Sequence, residues 1–486
     1  MRSLRRPALV LAAYLGTFLA SLDISIVNVA LPTLQQALHT DLAGLQWVIN
    51  AYAIALSALM LSAGPLSDRH GHRRMWLASV ALFTAGSLLC AFAGSLSTLI
   101  VGRTVQGVAG ALLIPSAMPI LSHAFPDPQQ RSRAIGGWSA FSALALVLGP
   151  LLGGVLVQWA GWPSIFLINV PLGLLALALG AWSIPERRHP QHAALDPAGQ
   201  VLSIVALAAL SYGLIGIGEH GVSAPPTLLA LAVAVLGLLA FARVQCRVER
   251  PLLPLDLFAG RAFALLNVAS FVLGFTAYAS LFFLSLFFQQ AQGHSAADAG
   301  MQLVPQFLLM GAVSLLFGRI VSRVGLLAAV ALGYTMVGIA LCAMAWFTAT
   351  TSVAVVTATL LVLGAGMGMA VPGTAAAVMA CVPHERAGIA SATMNALRQA
   401  GMSLGIALLG SLMSMRALHC LAASVGRDGV VQARAVLQAP ASTLVASPWL
   451  GSYRVATASG FAWAMGAAGI IALAAGCSVW RQRTVA

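Results

Sequence analysis

The 486-residue chain contains no lysine and only 12 acidic residues, and charged side chains make up 8% of it. A soluble domain has roughly a quarter of its residues charged, so an ordinary globular fold in water is excluded. The six cysteines, Cys90, Cys246, Cys342, Cys381, Cys420 and Cys477, are scattered without CxxC or Cys–His spacing. No metal or redox motif follows from them. A glycine-rich nucleotide loop and a polar stretch suited to a soluble catalytic domain are also missing, which argues against nucleotide-driven machinery and conventional enzymology.

What is present is apolar. Hydrophobic residues reach 60% and the mean hydropathy is +0.92, the composition of a polytopic, all-α membrane protein. At about 20 residues per crossing, fourteen segments qualify: 8–31, 46–66, 75–94, 98–122, 135–157, 165–183, 201–218, 226–245, 263–288, 299–317, 326–347, 352–378, 389–413 and 457–479. The start, MRSLRRPALVLAAYLGTFLA, has the outline of a signal peptide. Its apolar run continues past Asp23 and many spans follow, so it is expected to stay as the first span.

The net charge of +13 would suggest nucleic acid in a soluble protein. Here all 25 basic residues are arginine, and most fall in alternate loops. With the N-terminus inside, nineteen are cytoplasmic, among them Arg69, Arg73, Arg74, Arg131, Arg133, Arg187, Arg188, Arg250 and Arg386. Only Arg416, Arg427, Arg434 and Arg454 are external, all in one long loop before the last span. This is the positive-inside pattern, with both termini cytoplasmic, and not a nucleic-acid surface.

One acid stands apart. Asp41, Asp68, Asp127, Glu186, Asp196, Glu219, Glu249, Asp256, Asp298, Glu385 and Asp428 lie in or beside predicted loops, whereas Asp23 lies deep in the first span. A lone carboxylate there is costly to keep ionised, which suits a group that loads and releases a proton. Gly16, Ala20 and Ala30 share its helix face and permit close packing or a cavity. The competing reading is an acid that snorkels to the outer headgroups.

Two arginines also fall within spans. Arg103 in span 4 is at a depth similar to Asp23 and is its candidate partner, with outward snorkelling as the alternative. Arg398 in span 13 has no acid in its own helix and is expected to face a polar cavity or backbone carbonyls.

The chain repeats itself at offsets of about 255 residues. Gly64 to Gly71 after span 2 and Gly318 to Gly325 after span 10 share G-x-x-x-x-R-x-G; Gly107 and Pro115 in span 4 match Gly364 and Pro372 in span 12; Arg133-Ala134 matches Arg386-Ala387. Two six-helix halves, 1–183 and 263–486, are expected to flank two inserted helices and a linker, 184–262. Repeated halves are the usual build of secondary transporters, with the binding site between them.

The segment from Gly64 to Arg74 is read as a loop in which Gly64 and Gly71 allow the turn, Asp68 caps a helix or meets an arginine, and Asp68 with Arg69 forms a conformational latch. For Arg73 and Arg74 a surface role in topology is the alternative. In span 5, Gly149-Pro150 and Gly153-Gly154 predict a kinked, tightly packed helix, which generic packing would explain equally well. Tyr52, Trp138, Phe141, Asn395 and Gln399 are candidate cavity liners, an aromatic face being suited to an organic cation. For each of them ordinary packing is the alternative.

Together these strings resemble the major facilitator superfamily, and within it the fourteen-span drug:proton antiporter family, over nearly the whole chain. L-D-x-S/T-I-V-N-V-A-L-P is matched at Leu22 to Pro32, with Ser25 in place of the usual threonine. G-x-L-x-D-R-x-G-R-R is matched from Gly64 with His72 at one basic position, and R-x-x-Q-G at Arg103, Gln106 and Gly107. The antiporter signature G-x-x-x-G-P-x-x-G-G is matched except at Ala145, and I-F-L-I-N-V-P-L-G runs from Ile165 to Gly173, although Pro163 and Ser164 replace the residues often found before it.

The resemblance implies multidrug efflux by a proton-driven antiporter in the bacterial inner membrane. The cargo would be amphipathic and cationic, and no cofactor beyond the proton gradient is implied. By this resemblance Asp23 looks like the proton- and cation-responsive acid, Arg103 its modulator, and Asp68 with Arg69 the cytoplasmic latch; apart from the resemblance, Arg73 is grouped with the latch, and Asp23 and Arg398 with the candidate cavity liners. Some relatives carry a further acid in the later spans for dicationic drugs; spans 10 to 14 have none here. The expected unit is a monomer in the lipid bilayer, with a periplasmic adaptor as a candidate partner. Export of an endogenous metabolite, antibiotic or lipid-like compound is the alternative cargo class. A membrane sensor or scaffold, contacting partners through about Arg416 to Arg454, is the alternative from outside transport.

Overall fold

The computed structural model describes residues 2–125, 127–186, 196–248, 251–253, 255–383, 386–425, 429–438, 444 and 447–483. Arg187, Arg188, Glu249, Arg250, Glu385, Arg427 and Asp428 lie outside them. The regular elements among the described residues are all helical, with no strand. In lipid a spanning segment must satisfy its own backbone hydrogen bonds, which a helix does without partners.

The first six spans are built from α1 (Arg2–Ala37), α2 (Leu42–Met60), the short α3 (Ala63–His70), α4 (His72–Ala91), α5 (Leu96–Ala124), α6 (Pro128–Ala160), and α7 (Ser164–Leu167) running into α8 (Asn169–Ser183). Spans 7 and 8 are α9 (Pro197–His220) and α10 (Pro225–Gln245). After α11 (Leu255–Phe258), span 9 comprises α12 (Arg261–Leu273), a π turn (Gly274–Tyr278), α13 (Ala279–Leu286) and a second π turn (Phe287–Ala291). The last five spans are α14 (Ala296–Val324), α15 (Leu326–Met344), α16 (Val353–Ala380), α17 (Ala387–Val425) and α19 (Leu450–Arg483), with α18 (Gly429–Gln438) between the last two. Among the described residues fourteen helices are long and apolar enough to cross a membrane, and each coincides with a predicted segment.

Several helices overrun the apolar segments, because hydropathy marks the part that sits in lipid and not the end of the helix. The difference is largest between spans 13 and 14. The expected long loop is helical as far as Val425 and again in α18. Similarly, Asp298 belongs to the first turn of α14, where Ser295 caps the helix. Asp41, Asp127 and Asp196 cap α2, α6 and α9 by accepting from the backbone N–H of Gly44, Gln130 and Gly199.

The segment around Gly64 also departs from expectation. Residues Ala63–His70 are helical, Gly64 faces open space, and the chain turns at Gly71 alone, at φ +102°. Gly325, which closes the matching repeat, has φ +86° and joins α14 directly to α15. In this left-handed region a Cβ is strained, so the repeated glycine has one physical cause in both places. Pro150, predicted to kink its span, lies inside a single helix, α6.

Packing sets the site. α1 packs on α6, α8 and α5, and α2 on α5, while α15 packs on α16 and α19, and α17 on α19 and α12. The first and last six spans meet through α6 with α14 and α2 with α17, and α9 covers the second seam. Glycines make the first seam close. A Cβ on Gly154 would stand 2.6 Å from the Ala296 carbonyl, and one on Gly300 2.2 Å from that of Pro150. Hydrogen bonds joining the two sets include Gln46 to the Ile406 carbonyl (2.6 Å), Gln289 to the Val29 carbonyl (3.0 Å) and Gln290 to Gln35 (2.7 Å). These three lie toward the end of the bundle opposite the N-terminus, the far end. Ser57 adds a bond to the Ala396 carbonyl deeper along α2 (2.8 Å).

Candidate functional site: a buried carboxylate–arginine centre

Asp23 is fully buried and Arg103 is 1% exposed, and Arg103 Nη1 lies 2.5 Å from Asp23 Oδ2. The snorkelling alternatives for both residues are therefore excluded in this conformation. The guanidinium also donates through Nε to the Val48 carbonyl (3.1 Å) and through Nη1 to Gln106 Oε1 (2.8 Å), and lies 4.6 Å from the centroid of the Tyr52 ring. Five donors in a planar fork let one side chain tie α5 to α1 and α2 at once.

Gln106 completes the centre. Its Nε2 donates to Asp23 Oδ1 (3.0 Å) and Ser87 Oγ (2.9 Å), while Oε1 accepts from Arg103. Ser87 Oγ in turn receives Asn169 Nδ2 (3.3 Å) and donates to the Phe83 carbonyl. Both Asp23 oxygens thus accept from a donor. A carboxylate accepts both bonds with its full charge, whereas protonation puts a hydrogen on one oxygen and removes the charge that strengthens both. Protonation of Asp23 would accordingly weaken the ties between α1 and α5.

Sequence reasoning singled out Asp23 and Arg103 but gave no role to Gln106, Ser87 or Asn169. The R-x-x-Q-G string places Gln106 three residues after Arg103, on the same helix face, and was the available signal. Asn169 likewise falls in the I-F-L-I-N-V-P-L-G string, whereas Ser87 had no signal, since neutral polar residues are common within spans.

The expected cargo liners do not converge. Asp23 faces Arg103 and Gln106 and is fully buried, and Tyr52, 1% exposed, lies under the guanidinium, so neither is placed to touch cargo in this conformation. Half-buried Trp138 donates to Thr17 Oγ1 (2.7 Å), and Phe141 packs against Tyr14 and Phe18. These two aromatics fasten α6 to α1. On α17, Arg398 bonds Asn395 and lies 5.4 Å from the Tyr278 ring centroid beside the first π turn. Arg398 and Gln399 are both half-buried.

The latch segment forms a separate cluster at the N-terminal end. Asp68 pairs with His72 (3.1 Å) and not with an arginine or a helix end. The Arg73 backbone N–H donates to Glu186 Oε1 (3.2 Å), its guanidinium donates to the Ala181 carbonyl (2.5 Å), and Arg74 faces Glu186 at 3.7 Å. Gly71 is held against the same carboxylate, since a Cβ there would stand 2.3 Å from Glu186 Oε1. Arg69 is exposed. In span 5, Gly149 and Gly153 pack on Ser25 and Ile26 of α1, next to Asp23, while Pro150 and Gly154 face α14. The antiporter signature thus lies between the charged centre and the α6–α14 seam.

The sequence profile of the Major Facilitator Superfamily matches residues 13–406. The chain belongs to the major facilitator superfamily. It is a multi-pass membrane transport protein rather than an enzyme. Similar superfamily proteins include a methylenomycin A resistance protein of Streptomyces coelicolor, 36% identical over 82% of this chain and 84% of that one. Others are the multidrug resistance protein Stp of Mycobacterium tuberculosis, at 34% over 83% and 75%, and a tetracenomycin C resistance and export protein of Streptomyces glaucescens, at 34% over 84% and 76%. Among solved structures, a peptide transporter in complex with sulfate aligns with TM-score 0.65 at 15% identity, covering 98% of this chain and 93% of that one. A bacterial homolog of human Spinster, inward-facing and unoccupied, aligns with TM-score 0.65 at 16%, covering 98% and 96%. At these identities the structures speak for the fold.

Proposed function

We propose that the chain is a proton-coupled drug exporter of the bacterial inner membrane, with both termini cytoplasmic, working as a monomer on amphipathic cations. The observation that carries the coupling is the wholly buried Asp23 carboxylate, with Arg103 on one oxygen and Gln106 on the other. With the N-terminus inside, the far end is external, and the bonds at Gln46, Gln289 and Gln290 describe a state closed to the outside. The halves 1–183 and 263–486 rock about the α6–α14 and α2–α17 seams, with 184–262 between them. Outside, Asp23 takes a proton, the α1–α5 ties weaken and cargo leaves. Inside, the proton departs, the two bonds regain their strength and cargo binds. The cluster of Gly71, Asp68, Arg73 and Glu186 acts as the cytoplasmic latch.

Efflux is supported by relatives named for drug and antibiotic resistance. The names methylenomycin A and tetracenomycin C also favour a second reading of the cargo, as an antibiotic or other metabolite not restricted to cations. Proton flux in vesicles carrying a pH gradient, measured against a panel of cationic and uncharged compounds, separates the two. Asp23→Asn is expected to abolish compound-dependent proton flux while the protein still inserts; unchanged coupled efflux would overturn the assignment of Asp23.

A further inference from the structure

A cavity of about 360 Å³ opens at the far end, and neither Asp23, Arg103 nor Gln106 lines it. Its size is that of a small-molecule site. Walls come from α2, α9, α17, α18 and α19, and Gln35, Gln46 and Gln290, whose bonds join the first and last six spans, also line it. The cavity has two poles. The acidic lining is Asp41 and Glu219, with His220 Nδ1 3.7 Å from Glu219. The basic lining is Arg434 of α18, which is exposed and has no ion pair among the described residues.

We propose that this cavity is a second binding site, for small zwitterions that carry an ammonium and a carboxylate group. The ammonium donates to the Asp41–Glu219 carboxyls, and the carboxylate accepts from the Arg434 fork. Such a ligand touches α2 and Gln35 on one side of the seam and Gln290, α17 and α19 on the other. Separation of those walls would strip it of half its contacts, so it binds the far-end-closed state and stabilises it. The regulatory consequence, slower turnover when the zwitterion is present outside, rests on the alternating-access reading; binding itself does not.

The test is thermal unfolding of the purified full chain with 6-aminohexanoate, compared with hexylamine and hexanoate, which each carry one pole. The zwitterion should raise the midpoint with a half-saturating concentration at least about tenfold below either single-pole compound. Glu219→Gln and Arg434→Gln should each remove about that factor, while Asp23→Asn keeps it. Hydrogen exchange over residues 287–300 should slow on binding. Equal effects from all three compounds, or none from any, would overturn the site without any variant having to fold. A coupling failure at Asp23 would leave this measurement unchanged, so the two proposals fail separately.

Discussion

Asn50 sits one helical turn beyond Gln46 on the same face of α2, yet Gln46 donates to the Ile406 carbonyl of α17 while Asn50, fully buried, has no partner for either amide atom among the described residues. A buried amide left unmade costs about 1–3 kcal/mol. Asn50 therefore weighs against the far-end-closed state. Asn50→Leu is expected to favour that state by a similar amount and to slow export. Spin-label distances across the far end check it, and an unshifted distribution would refute it.

Removing Arg103 alone strands a buried carboxylate. Arg103→Leu is expected to cost about 3–5 kcal/mol and to lower the folded yield sharply. Adding Asp23→Asn should restore most of that yield, since no charge is then left buried. Coupled flux should stay absent in both variants. Size-exclusion profiles give the yield and vesicle assays the flux.

Two glycines of the sequence motifs should respond in opposite ways. In Gly154→Ala the new Cβ meets the Ala296 carbonyl and Ala297 Cα at 2.6 and 2.7 Å, so the α6–α14 seam must part, at about 1–3 kcal/mol. Faster hydrogen exchange near residues 293–300 is the expected sign. Gly64→Ala enters open space within a helix and should stabilise α3 by up to about 1 kcal/mol. Efflux by that variant should stay within about twofold of the parent.

Outside the membrane, Arg386 bonds Asp256 and holds its carboxyl below the usual carboxylate range. A depressed folded value contributes stability above the unfolded pKa, about 3.9, and that contribution is lost as pH falls through the folded value. The pair is exposed, so the effect is small and weakened by salt. Limited proteolysis around α11 should quicken at low pH or high salt in the parent. In Asp256→Asn it should be quick at every pH.

The fourteen spans and the charged pair were legible because lipid makes both conspicuous: a run of apolar residues has few other uses, and a charge within one needs a partner. Neutral side chains do not stand out in that way, even where, like Gln106 and Asn169, they fall within a quoted string. Ser87 and Asn169 join the centre only once α4 and α8 are packed, and Tyr52 was read as a cargo liner because an aromatic face serves Arg103 as well as a ligand. The helical nature of α3 and α18 was hidden for another reason, since polar helices outside the bilayer carry no hydropathy signal.

Asp23 and Tyr52 are enclosed within the first six spans rather than presented at the seams. Under the proposed coupling role of Asp23, energy transduction and molecular recognition would reside on different residues, linked by helix movement. A recognising surface would then be free to drift under selection while the transducing centre stays intact, so that one engine could suit many cargoes.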